Sequence, residues 1–419
     1  MKKIFSVGLI LFFVVKGFSQ QYPSSKLTPA QQLVLRTGED SLNAGVAKAK
    51  TVISGYGSAF YQRDFNQQKS RATLERVVLF VGHQFNSKIS FFSEMELENA
   101  KVEPGSEDGM KGEISMEQAF LKFDLNPRQY LIAGLFTPRI GILNENHLPV
   151  NFNGVERPMV EQLVIPATWR ELGVGFYGRA KRMPLNYSFA LITGLNSANF
   201  EHGTGIREGR GEGSDVNANN LAVTASLQYF LNDFRFQVSA YAGGTNGLNK
   251  RESDSLELSS GAFALPLYLT EGNLQWTKNG FAAKAILSYI YFPDADQVNR
   301  AYANNVSNSM YGAYVELAYN LFEKSHALQG QQLNIFARYE MLDLNHTIPG
   351  NGIYDGKLKQ QHLIAGFSYL PIHNVVIKTD VRLLHTGPEN PALVVNPSPV
   401  QLPYQQSNTF FNLGIGYSF

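Results

Sequence analysis

The chain has 419 residues, 36 Lys and Arg against 35 Asp and Glu, and no cysteine. The net charge of +1 gives no global attraction for nucleic acid or anionic lipid, and the lack of thiols excludes disulfides, thiol catalysis and a lipid-modified N-terminal cysteine. With 20 Tyr and 29 Phe, only 17 % charged residues and a mean hydropathy of −0.17, the composition fits strands that are apolar on one side only.

In chain order, Lys2 and Lys3 form a basic start and Ile4 to Val15 a mostly apolar stretch too short to cross a bilayer as a helix. Gly17 and Ser19 then stand three and one residues before a cut preceding Gln20, so residues 1–19 read as a signal peptide. Residues 20–49 carry no strong strand signal and read as a periplasmic leader, partly helical around Leu33 to Leu42. No later segment approaches the ~18 consecutive apolar residues of a transmembrane helix. A membrane-spanning reading of this chain therefore requires a closed barrel.

Period-two alternation recurs from there on. Ile89, Phe91, Met95 and Leu97 oppose Glu94, Glu96 and Glu98, and Phe234, Phe236 and Val238 oppose Arg235, Gln237 and Ser239. Val375, Ile377, Val381 and Leu383 oppose Lys378, Asp380 and Arg382. Phe336 and Leu342 fall on the polar face of their strand, which is not cleanly two-sided. The spacing predicts about sixteen strands, at 50–62, 72–84, 88–99, 114–125, 128–138, 171–180, 184–195, 219–231, 233–245, 266–278, 280–292, 308–321, 331–344, 358–370, 374–386 and 407–419. Tight links such as Asn86-Ser87, Asn232-Asp233 and Lys278-Asn279 alternate with long polar loops. Short turns on one rim and long loops on the other mark outer-membrane barrels. The expected fold is an all-β transmembrane antiparallel barrel over 50–419, in the outer membrane of a Gram-negative bacterium, with lipid outside and water inside. The last strand runs Phe411, Leu413, Ile415, Tyr417, Phe419, and its terminal Phe resembles the signal by which such barrels are recognised for assembly.

The connection from Arg139 to about Arg170 is far longer than usual, and loops of that length are functional or disordered. This one carries Ile140, Ile142, Leu143, Val160, Val164, Ile165 and Trp169, stiffened by Pro149, Pro158 and Pro166. An apolar loop needs a surface to pack on, and the barrel interior offers one. Residues 139–170 are thus expected to fold into the pore as its third external loop, with Arg139, Glu145, His147, Glu156, Arg157, Glu161 and Arg170 at the constriction. The plainer reading pairs Arg157 and Arg170 with Glu145, Glu156 or Glu161 to hold the loop down. His147 reads as a packing residue, because no second His lies at metal spacing. The predicted lumen wall includes Glu94, Glu96, Lys122, Arg179, Arg235, Lys284, Arg338, Lys378 and Arg382. Walls of mixed sign predict weak ion selectivity.

Gly134-Leu135-Phe136-Thr137-Pro138 is similar to the Gly-x-Phe-Lys-x-Pro-like lead into the third loop of phosphate-selective porins of the O and P type. Gly154-Val155-Glu156-Arg157-Pro158 and Thr168-Trp169-Arg170-Glu171 look like the same loop in related bacterial porins. The resemblance implies a homotrimer of 16-stranded barrels, each with its third loop folded inward. Thr137 stands where the family motif suggests Lys, and Pro138 comes one residue early.

The function expected is passive diffusion of small hydrophilic solutes or ions, with membrane lipids and those solutes as partners and no nucleic acid. A phosphate- or anion-selective porin and a transporter for a hydrophobic substrate are the alternatives. Neither a cofactor nor a metal site is expected, and no local motif nominates an enzyme nucleophile. The Gly-rich run from Gly203 to Gly213 lacks the Lys-Ser/Thr of a phosphate loop and reads as a flexible external loop. Acidic residues at 103, 107 and 108 and at 294 and 296 read as surface charge.

Overall fold

Each expected span contains one strand, with ends shifted by at most three residues. The computed structural model describes residues 27–35, 50–99, 113–214, 216–394 and 402–419. The expected signal peptide, most of the leader and the acidic loop at 103–108 lie outside those residues. The strands are β1 (Thr51–Asp64), β2 (Lys69–Gln84), β3 (Ile89–Glu98), β4 (Glu113–Asn126), β5 (Gln129–Phe136), β6 (Glu171–Arg179), β7 (Leu185–Thr193) and β8 (Leu221–Leu231). They continue as β9 (Phe234–Gly243), β10 (Leu267–Lys278), β11 (Phe281–Tyr291), β12 (Ser309–Asn320), β13 (Gln332–Thr347), β14 (Lys359–Ile372), β15 (Val375–Thr386) and β16 (Ser407–Ser418). Every strand pairs antiparallel with its neighbours in sequence, and β1 pairs with β16, so the barrel is closed and has no free edge.

Local chemistry sets the tight rim. At the β10–β11 link, Asn279 (φ 50°) and Gly280 (φ 80°) both occupy the left-handed region that a two-residue hairpin demands, and Asn-Gly is the pair best suited to it. The opposite rim carries the long loops, including short helices α2 (Lys250–Ser255) and α3 (Ala295–Tyr302). Ile53, Leu79, Val174, Val238, Leu317 and Ile415 stay exposed on the outer face, as a lipid-facing band requires. The alternate residues turn inward. Among the described residues no helix is long and apolar enough to cross a membrane; the spanning elements are strands.

The interior departs from a uniformly polar lumen. Tyr56, Phe80, Phe92 and Phe120 line the inner wall of β1–β4 in a continuous row of rings, with centroids 5.4–5.6 Å apart. Phe336 and Leu342, which broke the alternation of β13, are buried on the inside. The seven-residue helix α1 (Pro29–Leu35) lies against β1–β3, where the Ala30 amide donates to the inward Ser54 hydroxyl at 3.2 Å. The helix begins earlier than the expected Leu33, and residues 36–42 of the expected span lie outside the described residues; Gly82 leaves the space α1 fills, since a Cβ there would sit 2.8 Å from the Ala30 carbonyl.

Candidate functional site

Between β5 and β6 the chain runs across the inner faces of distant strands. Its two legs are clipped together by Asn144, whose amide donates to the Pro138 and Trp169 carbonyls while its oxygen accepts from the Trp169 amide at 2.7 Å. Gly141 meets β9 and β10 through Gln237 and Glu271. Further on, Asn153 donates to Glu316 on β12, the Val155 amide to Asp380 on β15, and the Val160 amide to Glu340 on β13. A π-helical turn over Val160–Val164 presents Val160 and Val164 to the wall. Glycines make the seat: a Cβ at Gly312 would lie 2.8 Å from Val160, and one at Gly416 2.4 Å from Pro149. In the sequence, Gly414 and Gly416 read simply as the wet side of β16. In the structure they seat the loop, with a Cβ at Gly414 falling 2.9 Å from Val155.

The seven loop residues singled out in the sequence do not gather into one cluster. Arg139 binds Glu145 at 2.7 Å and lies over the Tyr177 ring. Glu156 reaches Arg382 at 3.1 Å. Arg170 binds Glu117 at 3.5 Å and Glu212 at 3.3 Å. The pairing of Arg157 or Arg170 with acids of their own loop is therefore not what the structure has: Glu145 and Glu156 are taken by other arginines. Arg157 lies beside Glu75, Arg76, His147 and Lys378 around a narrow space. Glu161 is fully buried and accepts the Ile142 and Leu143 amides on one oxygen (2.8 and 2.7 Å) and the Tyr314 hydroxyl on the other (2.7 Å). Burial holds its carboxyl above the usual carboxylate range in spite of those three donors.

All nine wall residues singled out in the sequence lie on inward-facing rows. Arg338 joins Glu316 (3.0 Å) and Glu340 (2.8 Å), and also donates to the Asn153 carbonyl. Lys284 stands 3.8 Å from Glu316 and donates to the Asn151 carbonyl. Lys378 sits 3.6 Å above the Phe152 ring, and Arg382 stacks on Phe410. Lys122 pairs with Asp124 at 2.6 Å. Arg179 and Arg235 are half-buried near the tight-turn rim. Most of these charges hold the loop or one another and do not face an open solvent column.

Glu94 and Glu96 belong to a different group. A β-bulge in β4 leaves Glu117 without a partner on β3, since Glu94 pairs with Gln118 and Met95 with Met116. Bulges re-aim a side chain, and here Glu117 and Gln118 both turn inward. His147 comes down from the loop between them, with Nε2 3.3 Å from Glu94 Oε1 and 3.3 Å from Glu117 Oε2. All three side chains are buried, and the imidazole stands edge-on to Tyr56. Burial opposes the charged imidazolium, but the Glu117 and Glu94 carboxylates beside it outweigh that and hold the imidazole above its ordinary pKa. The three are arranged as a metal could use them. Linear spacing could not show this, because Glu117 faces inward only through the bulge and His147 arrives from a loop.

Two further features bound the site. Residues 194–214 pack on the third loop: Arg207 donates to the Gln162 carbonyl, Arg210 to those of Pro166 and Thr168, and Ile206 is wholly buried. The Gly-rich run, expected as a flexible external loop, thus packs as a cover on the third loop. Toward the tight-turn rim a cavity of about 580 Å³ opens beneath Val150–Asn153, lined by Gln275, Thr277, Lys284, Asn320, Asn334 and Ser368 among others.

A closed sixteen-stranded antiparallel barrel with an apolar outer band and long loops on one rim is a transmembrane β-barrel of the outer-membrane class. Solved structures agree on that fold. OmpF of Salmonella typhi, solved in complex with daunomycin, aligns over 88 % of this chain and 97 % of its own (TM-score 0.52, 12 % identity). The outer membrane channel DcaP of Acinetobacter baumannii aligns over 89 % and 99 % (0.51, 12 %), and the trimer form of OmpT of Vibrio cholerae over 88 % and 99 % (0.51, 9 %). In sequence, an uncharacterized protein of Aquifex aeolicus (strain VF5) is 28 % identical over 341 residues, covering 78 % of this chain and 74 % of that one. No family model matches the chain.

Proposed function

We propose that the protein is an outer-membrane channel through which small hydrophilic solutes or ions diffuse passively, with residues 139–170 as its constriction. One observation carries the reading: the third loop is bonded to the inner faces of β9, β10, β12, β13 and β15 above a cavity of about 580 Å³ whose lining mixes polar and apolar residues. A segment so held narrows the lumen without filling it. Because Arg338, Arg382 and Lys284 neutralise Glu316, Glu340 and Glu156, the passage carries little net field and discriminates weakly between ions. The same pairing speaks against phosphate selectivity, since Arg139 and Arg170 are already committed to carboxylates. The trimer form of one structural neighbour supports a homotrimer here too.

The test is single-channel conductance of the purified protein in a planar bilayer under a salt gradient. Steady steps with little ion preference are expected, and deletion of residues 145–165 should enlarge them. Folded barrels that do not conduct would overturn the channel reading. Unchanged conductance in a folded deletion variant would overturn the constriction.

A further inference from the structure

The seam between the third loop and the wall holds an arrangement that the channel reading leaves unused. Glu94 Oε1, Glu117 Oε2 and His147 Nε2 are buried, converge within 4.8 Å of one another, and have no hydrogen-bond partner. The opposite oxygen of each carboxylate is fixed from behind. Gln118 donates to Glu94 Oε2 at 2.6 Å, and Thr168 donates to Glu117 Oε1 at 2.8 Å. Outer partners of that kind orient metal ligands. The result is one free oxygen from each carboxylate aimed at one imidazole nitrogen.

The spacing is informative. Zinc bonds of about 2.0–2.1 Å place neighbouring ligand atoms of a tetrahedron about 3.3 Å apart. Both nitrogen-to-oxygen separations here are 3.3 Å, with neither contact in hydrogen-bonding geometry. Two carboxylates and one imidazole form a donor set suited to a divalent first-row ion. Glu96, on the same face of β3, adds a third buried carboxylate, itself held by Arg76 at 3.0 Å. Arg76 and Arg170 answer two of these three carboxylates, and burying the remaining charge without a cation is costly.

We infer that Glu94, Glu117 and His147 form a divalent transition-metal site, of the kind Zn²⁺ occupies, that staples the third loop to the wall of β3 and β4. The inference does not depend on what passes through the barrel.

The test is Zn²⁺ binding to the full-length, untagged protein folded in detergent, stripped with a chelator and then titrated, with metal content read by mass spectrometry. One Zn²⁺ per chain is expected. His147→Ala should abolish uptake, and Gln118→Ala, which leaves every ligand in place, should weaken it about 10- to 100-fold. His362→Ala, which removes a buried imidazole on β14, should keep it. The faster gel migration of a folded barrel before heating checks each variant. No stoichiometric uptake by the wild type would overturn the site and leave a protonated imidazole shared between the carboxylates. Uptake retained in folded His147→Ala would overturn it as well.

Discussion

The third loop meets two walls of the barrel, and they hold it differently. Against β12, β13 and β15 the acids pair with cations or amides: Glu316 and Glu340 with Arg338, Asp380 with the Val155 amide and Asn412, and the loop's own Glu156 with Arg382. Against β3 and β4, two carboxylates point at one imidazole with no closed set of bonds. One wall is an electrostatic clasp built from acids and arginines. The other has donors to spare. A buried set of ion pairs resists change because removing one member strands its partner, whereas two carboxylates converging on one imidazole respond to whatever cation arrives.

The sharpest way to break the clasp is Arg338→Ala, which leaves Glu316 and Glu340 buried without their shared cation. A loss of about 3–5 kcal/mol is expected, read by denaturant unfolding in detergent. A stability equal to wild type would mean that the clasp contributes nothing. Glu161→Ala comes next, stranding the Ile142 and Leu143 amides at about 1–3 kcal/mol. Faster hydrogen exchange at those two amides is the readout.

Glu161 also gives a pH dependence. Its carboxyl is held above the ordinary value by burial, so the folded state favours the neutral form. Its contribution is full below the ordinary carboxylate pKa and is lost as pH rises through the raised one. Melting of the wild type should therefore fall over that rise, while Glu161→Gln shows a flatter profile. Gly416→Val puts a side chain into Pro149 and should cost about 1–2 kcal/mol, with increased protease cutting in residues 145–155. Smallest of all, Lys250→Ala breaks only an exposed pair with Asp254 on α2 and should leave melting and conductance unchanged.

The clasp was half legible in the sequence. Alternation located Arg338, Lys378 and Arg382 on the inner face, because a strand's two-residue period survives without knowledge of its neighbours. What they bind was not legible, since the partners lie on a loop whose path depends on the finished barrel. Glycine was the least transparent signal: Gly312, Gly414 and Gly416 show only an absent side chain, and the reason for the absence sits in a distant part of the chain. The unfinished wall was hidden for a sharper reason. A bulge reverses the face of Glu117, and a reading that trusts strict alternation across β4 cannot place Glu117 and Gln118 on the same side.

The seat of the loop is completed by the last strands. Val155 and Asp380, which bond at 2.7 Å, are 225 positions apart, and Gly416 comes later still. Residues 139–170 therefore exist as a long apolar segment with no finished surface to settle on until β15 and β16 have joined the sheet. Contacts between such distant parts of a chain form late and slowly. A chain stalled before β15 lacks the seats of Pro149, Phe152 and Val155, which makes it a natural target for escorting chaperones and for proteases that clear failed barrels.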